Sequence, residues 1–258
     1  RYFGNETFAE FSNGFMELPF AGMILGSISA VLLPVFSGMD KGDGMSIETL
    51  KIWNSALLKS AKLIFPMLIF SVFFAETIMT CMYGNLYSES AIYFIIKNLS
   101  GLFVIIPFYP IILAIGKTKA YAHVHMVIAF VVVVSEYLVC KTCDSAVYVA
   151  VTSEICNLLK IWLLMRIIAN YAHKRIVDLL YPKMLGQLLL ISILASLPPF
   201  ILFKVIAVNK WISLFLSMSF FLIDYYVLCY VFKISYRDII GGFIQRESKI
   251  ASLIRYIP

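Results

Sequence analysis

An all-α polytopic transmembrane helical bundle is the fold class the sequence predicts, and three observations predict it. Hydrophobic residues fill 61% of 258 positions, charged residues 14%, and mean hydropathy is +0.90. Soluble domains lie nearer about 45–50% apolar and about 25% charged. The apolar residues come in runs of roughly 20, the length of a helix that crosses a bilayer, rather than in the short alternating strands of a barrel. Between the runs stand clusters of Gly, Pro, Asn, Asp and Lys, which are turn chemistry.

About seven spans follow, over 8–36, 50–82, 88–116, 121–140, 146–170, 184–207 and 211–232. The first three exceed the roughly 20 residues a bilayer requires, so they are expected to tilt or project beyond it. Breaks fall at Gly42-Asp43-Gly44, Tyr83-Gly84-Asn85, Gly116-Lys117, Lys141-Thr142, Tyr181-Pro182 and Val208-Asn209. Pro19, Pro66, Pro107, Pro110, Pro198 and Pro199 are candidate kinks. The chain opens at Arg1 with no signal-peptide pattern, and it reads as a piece of a longer protein.

Positive charge sets the expected orientation. On one side of the spans lie Lys41, Lys117, Lys119, Lys174, Arg175, Lys183, Lys233, Arg237, Arg246, Lys249 and Arg255. On the other lie Arg1, Lys141 and Lys210. Eleven against three places the first group in the cytoplasm, with the start of the chain outside and its end inside. The same rule accounts for the net charge of +6 without a nucleic-acid partner. The tail after Lys233 alternates apolar and basic residues and is expected to lie along the inner membrane surface.

Charged side chains within the spans carry the functional information. Each costs about 2.5–3.5 kcal/mol at a helix centre on insertion scales, so it normally faces a cavity or a partner. On the second span Lys51, Ser55, Lys59, Lys62, Glu76 and Thr80 fall on one stripe at helical spacing. Snorkelling accounts for Lys51 and Lys59 as well as a cavity does; Lys62 and Glu76 lie deeper and favour a polar cavity. Other shared faces are Glu10, Asn13 and Glu17 beside Gly14; Tyr93, Lys97 and Ser100; Ser153, Asn157 and Lys160; and Ser213, Ser217 and Asp224. Two readings stand for Lys97: a ligand-binding cation, or a structural ion pair with Glu76 or Glu17.

Bond-making chemistry finds no support. No GxSxG, HExxH, Walker A or GxGxxG motif occurs, and no cofactor or metal ligand set is expected. His123 and His125 are too close in sequence for an i, i+4 metal pair. Cys140-Lys-Thr-Cys143 has CxxC spacing but no second pair beside it, which favours a chance pairing over an external disulfide.

The opening Tyr2-Phe-Gly-Asn-Glu-Thr-Phe-Ala-Glu-Phe-Ser-Asn-Gly14, then Leu18-Pro19 and Ser27-Ile-Ser-Ala-Val-Leu-Leu-Pro34-Val-Phe-Ser37, resembles the second half of bacterial polysaccharide (O-antigen type) flippases. These belong to the multidrug/oligosaccharidyl-lipid/polysaccharide exporter superfamily. Phe65-Pro66 through Tyr83-Gly84-Asn-Leu-Tyr87-Ser88, and Ile112-Leu-Ala-Ile-Gly116-Lys117-Thr-Lys119, are similar too, so the resemblance touches about the first 120 residues. It implies the C-terminal lobe of a two-lobe exporter: five helices within 1–170, two appended helices within 171–232, and a cytoplasmic or interfacial tail at 233–258. The N-terminal lobe would lie upstream.

The resemblance further implies a bacterial inner-membrane protein that flips a polyprenyl-diphosphate-linked oligosaccharide between leaflets by alternating access, with membrane lipids and glycan-assembly proteins as partners. A diphosphate needs cations fixed in a low-dielectric space. Lys59, Lys62 and Lys97 supply them on spacing alone, with Glu17 and Glu76 as ion-coupling sites or counter-charges. Three competitors remain. A multidrug or small-cation exporter of the same superfamily would favour an acid-dominated cavity. A seven-helix receptor would need an Asp-Arg-Tyr-type triplet and an Asn-Pro-x-x-Tyr motif, and neither occurs. A polymerase or ligase of lipid-linked glycans would need a large external loop.

Overall fold

The computed structural model describes residues 2–38, 45–205, 209–237 and 239. Eleven α-helices run in the order α1 (Gly4–Gly14), α2 (Pro19–Ser37), α3 (Ile47–Phe73), α4 (Ala75–Tyr83), α5 (Ser90–Ser100), α6 (Phe108–Ala114), α7 (Thr118–Thr142), α8 (Ala146–Ala172), α9 (Ile176–Leu180), α10 (Pro182–Val205) and α11 (Lys210–Val231). No strand occurs among the described residues. Seven segments are long and apolar enough to cross a membrane: Pro19–Ser37, Ile47–Phe73, Ser90–Ala114, Thr118–Thr142, Ala146–Ala172, Pro182–Phe203 and Lys210–Val231.

The long first, second and third spans are each interrupted. Over 8–36 a single helix was expected; instead the chain breaks between Gly14 and Pro19. Pro19 has no N–H to extend a preceding helix, but its fixed φ suits the first position of the next. Gly14 lets the end of α1 close onto α5, because a Cβ there would lie 2.2 Å from the Ser90 carbonyl oxygen of α5. Replacing Gly14 by alanine should therefore cost about 1–3 kcal/mol of overpacking and loosen α1 from α5. Faster hydrogen exchange across α1 is the expected readout, and unchanged exchange would contradict this contact.

The second span kinks at Phe74, whose N–H still reaches Phe70 O at 3.0 Å. No proline stands there; the Ser71 hydroxyl bonds back to Met67 O at 2.7 Å, a pattern that bends helices. The third span is interrupted from Gly101 to Pro107, and the freed Pro107 carbonyl accepts the Trp53 indole N–H at 3.3 Å.

Caps fix several other boundaries. Ser46 accepts from Thr49 N at 3.1 Å, Ser145 from Val147 N at 3.3 Å and Asn209 from Trp211 N at 3.0 Å, each satisfying an orphan donor. The expected Lys141-Thr142 break lies slightly later, after Thr142; α8 runs to Ala172, close to its expected end, and an unforeseen short helix, α9, lies in the connection that follows. The Gly42-Asp43-Gly44 break and the tail beyond residue 239 lie outside the described residues.

At the centre stands α3, packed on α10, α2 and α5. Trp53, Leu57, Ala61 and Ile64 are fully buried, facing Leu188, Ile191 and Ala195 among other core residues. Small residues let the α3 and α10 backbones approach. The hydroxyls of Ser60, Ser192 and Ser196 bond to their own helices at 2.8–3.0 Å, so none is left as a polar orphan in the core. On one flank α8 joins α5 and α6 and pairs with α7, of which only Ile128 is buried; on the other, α11 packs on α10.

The connections gather as the alternating topology requires. The start of α1, residue Glu89 and the α7–α8 turn line one hollow, and Lys210 donates to Asn85 Oδ1 at 2.8 Å. These mark one end of the bundle. At the other, α9, the start of α10 and the turn after α11 come together.

Candidate functional site

A polar cluster forms where the α1–α2 break meets α5 and α8. Lys97 Nζ lies 2.9 Å from Glu154 Oε1 and 3.2 Å from Glu17 Oε1, and sits 5.0 Å from the centre of the Phe15 ring. The second Glu154 oxygen accepts from the Ser100 hydroxyl and from Asn157 Nδ2, the latter at 3.1 Å. Both oxygens of this buried carboxylate are thus engaged. Glu17 differs: its side chain is 60% exposed, against 7% for Glu154. Unwinding of the chain at Phe15–Leu18 is what lets Glu17 turn toward α5.

Lys160, one turn below Asn157 on α8, is half-buried and lies within electrostatic reach of Lys97, Glu154 and Glu17. No carboxylate oxygen stands within ion-pair distance of it among the described residues. His125 of α7 also lies within its electrostatic reach, its ring tilted at 47° against that of Tyr121 with centres 4.4 Å apart.

The lysines of α3 part company. Lys62 is 5% exposed; its ammonium donates to Ser235 O at 2.6 Å and lies 5.7 Å from the Tyr236 ring centre. Tyr236 in turn donates to Lys62 O at 2.8 Å and meets the Tyr225 hydroxyl at 2.6 Å. This clasp arises because Lys233 adopts φ 56, turning the chain back from the end of α11 onto α3. Lys62 borders two hollows. One of about 790 Å³ also presents Lys183, Gln187 and Lys233; the other, of about 640 Å³, is an apolar groove walled by Met67, Phe70 and Phe221. Lys59, half-buried, lines a third hollow between α2 and α3 with Lys51 and Ser55. Among the described residues no carboxylate stands within ion-pair distance of Lys59.

Of the expected site residues, the structure joins Lys97 to Glu17 and leaves Glu76 apart. Glu76, on α4, is exposed and does not pair with Lys97. The expected stripe from Lys51 to Thr80 is therefore not continuous. Glu154, the strongest partner of Lys97, did not figure among the candidates. An acid in the middle of an apolar span was the signal available for it. Cys140 and Cys143 are both free thiols.

Fold and site together define a multi-pass α-helical membrane protein with charged groups held inside its transmembrane bundle. No protein-family model, no curated protein and no solved structure matches the chain.

Proposed function

We propose that this protein translocates a polyprenyl-diphosphate-linked oligosaccharide from the inner to the outer leaflet of a bacterial inner membrane by alternating access. One observation carries the reading: Lys59 and Lys160 stand partly buried on membrane-spanning helices with no carboxylate at ion-pair distance among the described residues. Such a cation is costly in an apolar medium, and an anionic ligand offsets that cost. Lys62, at the junction of a polar hollow and an apolar groove, adds a third cation to the path. The residue pattern of the first 120 positions supports the same substrate class.

Within this reading Lys97 is the neutralised member. Glu154 fixes it, while the exposed Glu17 is the partner that can let go when α1 and α2 move against α5. Helices interrupted at Gly14–Pro19, Phe74 and Gly101–Pro107 supply the joints.

Reconstitution tests the proposal. The protein in liposomes should render a fluorescent polyprenyl-diphosphate oligosaccharide accessible to an external quencher faster than protein-free liposomes do. A rate equal to the lipid background would contradict it. Faster movement of a small organic cation, with no lipid movement, would favour an exporter of the other kind.

A further inference from the structure

At the end of the bundle where α9, the start of α10 and the turn after α11 meet, the hollow of about 790 Å³ and the apolar groove of about 640 Å³ are joined, because Lys62 lines both. Lys183 and Lys233, both exposed, add two more ammonium groups to the hollow, with Gln187 as a neutral polar group. Asp178, the one acid of that lining among the described residues, is already held by Arg175 through bonds of 3.0 and 3.2 Å. The groove has the opposite character. Met67, Phe70, Met218, Phe221 and Leu222 wall it. Met218 and Leu222 are 51% and 54% exposed, so the groove lies open along α11 to the surrounding bilayer. A cationic hollow thus continues into an apolar channel, and a lysine only 5% exposed marks the seam.

We propose that hollow and groove together bind an anionic glycerophospholipid of the adjacent leaflet, its phosphate held by Lys183, Lys233 and Lys62 and one acyl chain laid in the groove. Basic pockets between transmembrane helices take acidic headgroups because several cations share one low-dielectric recess. Neither half alone selects this ligand. A free phosphate would leave the groove without an occupant. A zwitterionic lipid would fill the groove but bring its own ammonium against three lysines. An anionic phospholipid satisfies both halves at once. The site shares Lys62 with the proposed translocation path but neither Lys59 nor Lys160, and its binding is read without transport. It can therefore fail while that reading stands, and the reverse.

Native mass spectrometry of the purified protein in uncharged detergent tests it, with dioleoyl-phosphatidylglycerol, dioleoyl-phosphatidylcholine and glycerol phosphate as probes. Phosphatidylglycerol should bind at least about tenfold more tightly than either of the others. The Lys183→Gln/Lys233→Gln pair should weaken phosphatidylglycerol by about tenfold. Lys117→Gln with Lys119→Gln removes the same charge from the exposed start of α7 and should change its affinity by less than about twofold. Met218→Trp, which fills the groove from an exposed position, should weaken it by about fivefold. Five results would overturn the proposal: equal binding of phosphatidylcholine, equal binding of glycerol phosphate, equal effects of the two lysine pairs, indifference to Met218→Trp, or displacement of phosphatidylglycerol by an equimolar polyprenyl diphosphate. The last would assign the site to the transported lipid instead.

Discussion

Replacing Glu154 by alanine should destabilise the bundle by about 3–5 kcal/mol, because it leaves a partly buried ammonium facing a single exposed carboxylate. The side chain of Lys97 is only 17% exposed, and Glu154 is its better-buried partner at 2.9 Å. Ser100 and Asn157 would lose their acceptor at the same time. Removing both charges tells a different story. Lys97→Met with Glu154→Leu should return stability to within about 1–2 kcal/mol of the parent, since a buried pair is often replaceable by apolar side chains of similar volume. Unfolding of the purified protein in mixed micelles, titrated with SDS, measures both. A loss below about 1 kcal/mol for Glu154→Ala would mean that solvent or Glu17 satisfies Lys97, and the cluster would be a surface pair.

The second large effect concerns transport. Lys59→Glu or Lys160→Glu should lower lipid translocation by about 100-fold, equivalent to about 2.7 kcal/mol in the transition state, while the protein still inserts and folds. The reasoning is electrostatic. A carboxylate placed where a diphosphate must pass converts attraction into repulsion in a medium that screens poorly. Lys174, exposed just past the end of α8, serves as the contrast; Lys174→Glu should alter the rate by less than about threefold. Equal losses at all three positions would indicate a general fault of α3 and α8 packing rather than a ligand path.

The spans were legible because bilayer thickness imposes a length on every helix that crosses it. The interruptions that end at Pro19 and Pro107 fall at candidate kinks, whereas the one at Phe74 carries no proline and was not legible. Gly14 approaches the Ser90 carbonyl of α5 closely, a tertiary contact no local pattern announces. The break at Phe74 involves no proline, so the stripe from Lys51 to Thr80 was drawn along one helix where the chain has two. Lys97 with Glu17 was foreseeable as one of two pairings. Glu154 was equally visible as an acid inside an apolar run, but the faces were drawn through small polar residues and passed beside it. The partner of Lys62 was hidden for another reason: it is a backbone carbonyl, Ser235 O, delivered by a left-handed turn at Lys233.

Such ion pairs do not by themselves create a passage. Lys97 is locked by two acids, and Lys62 is clasped by the turn after α11. The weight therefore falls on Lys59 and Lys160.

Accessibility of Lys160 is the most direct test. With the five native cysteines replaced and Lys160→Cys introduced, a charged, membrane-impermeant thiol reagent should modify the new thiol, and a polyprenyl-diphosphate oligosaccharide should slow that modification. Failure of the reagent to reach the thiol from either side, or labelling indifferent to the lipid, would place Lys160 outside any anion path and contradict the account.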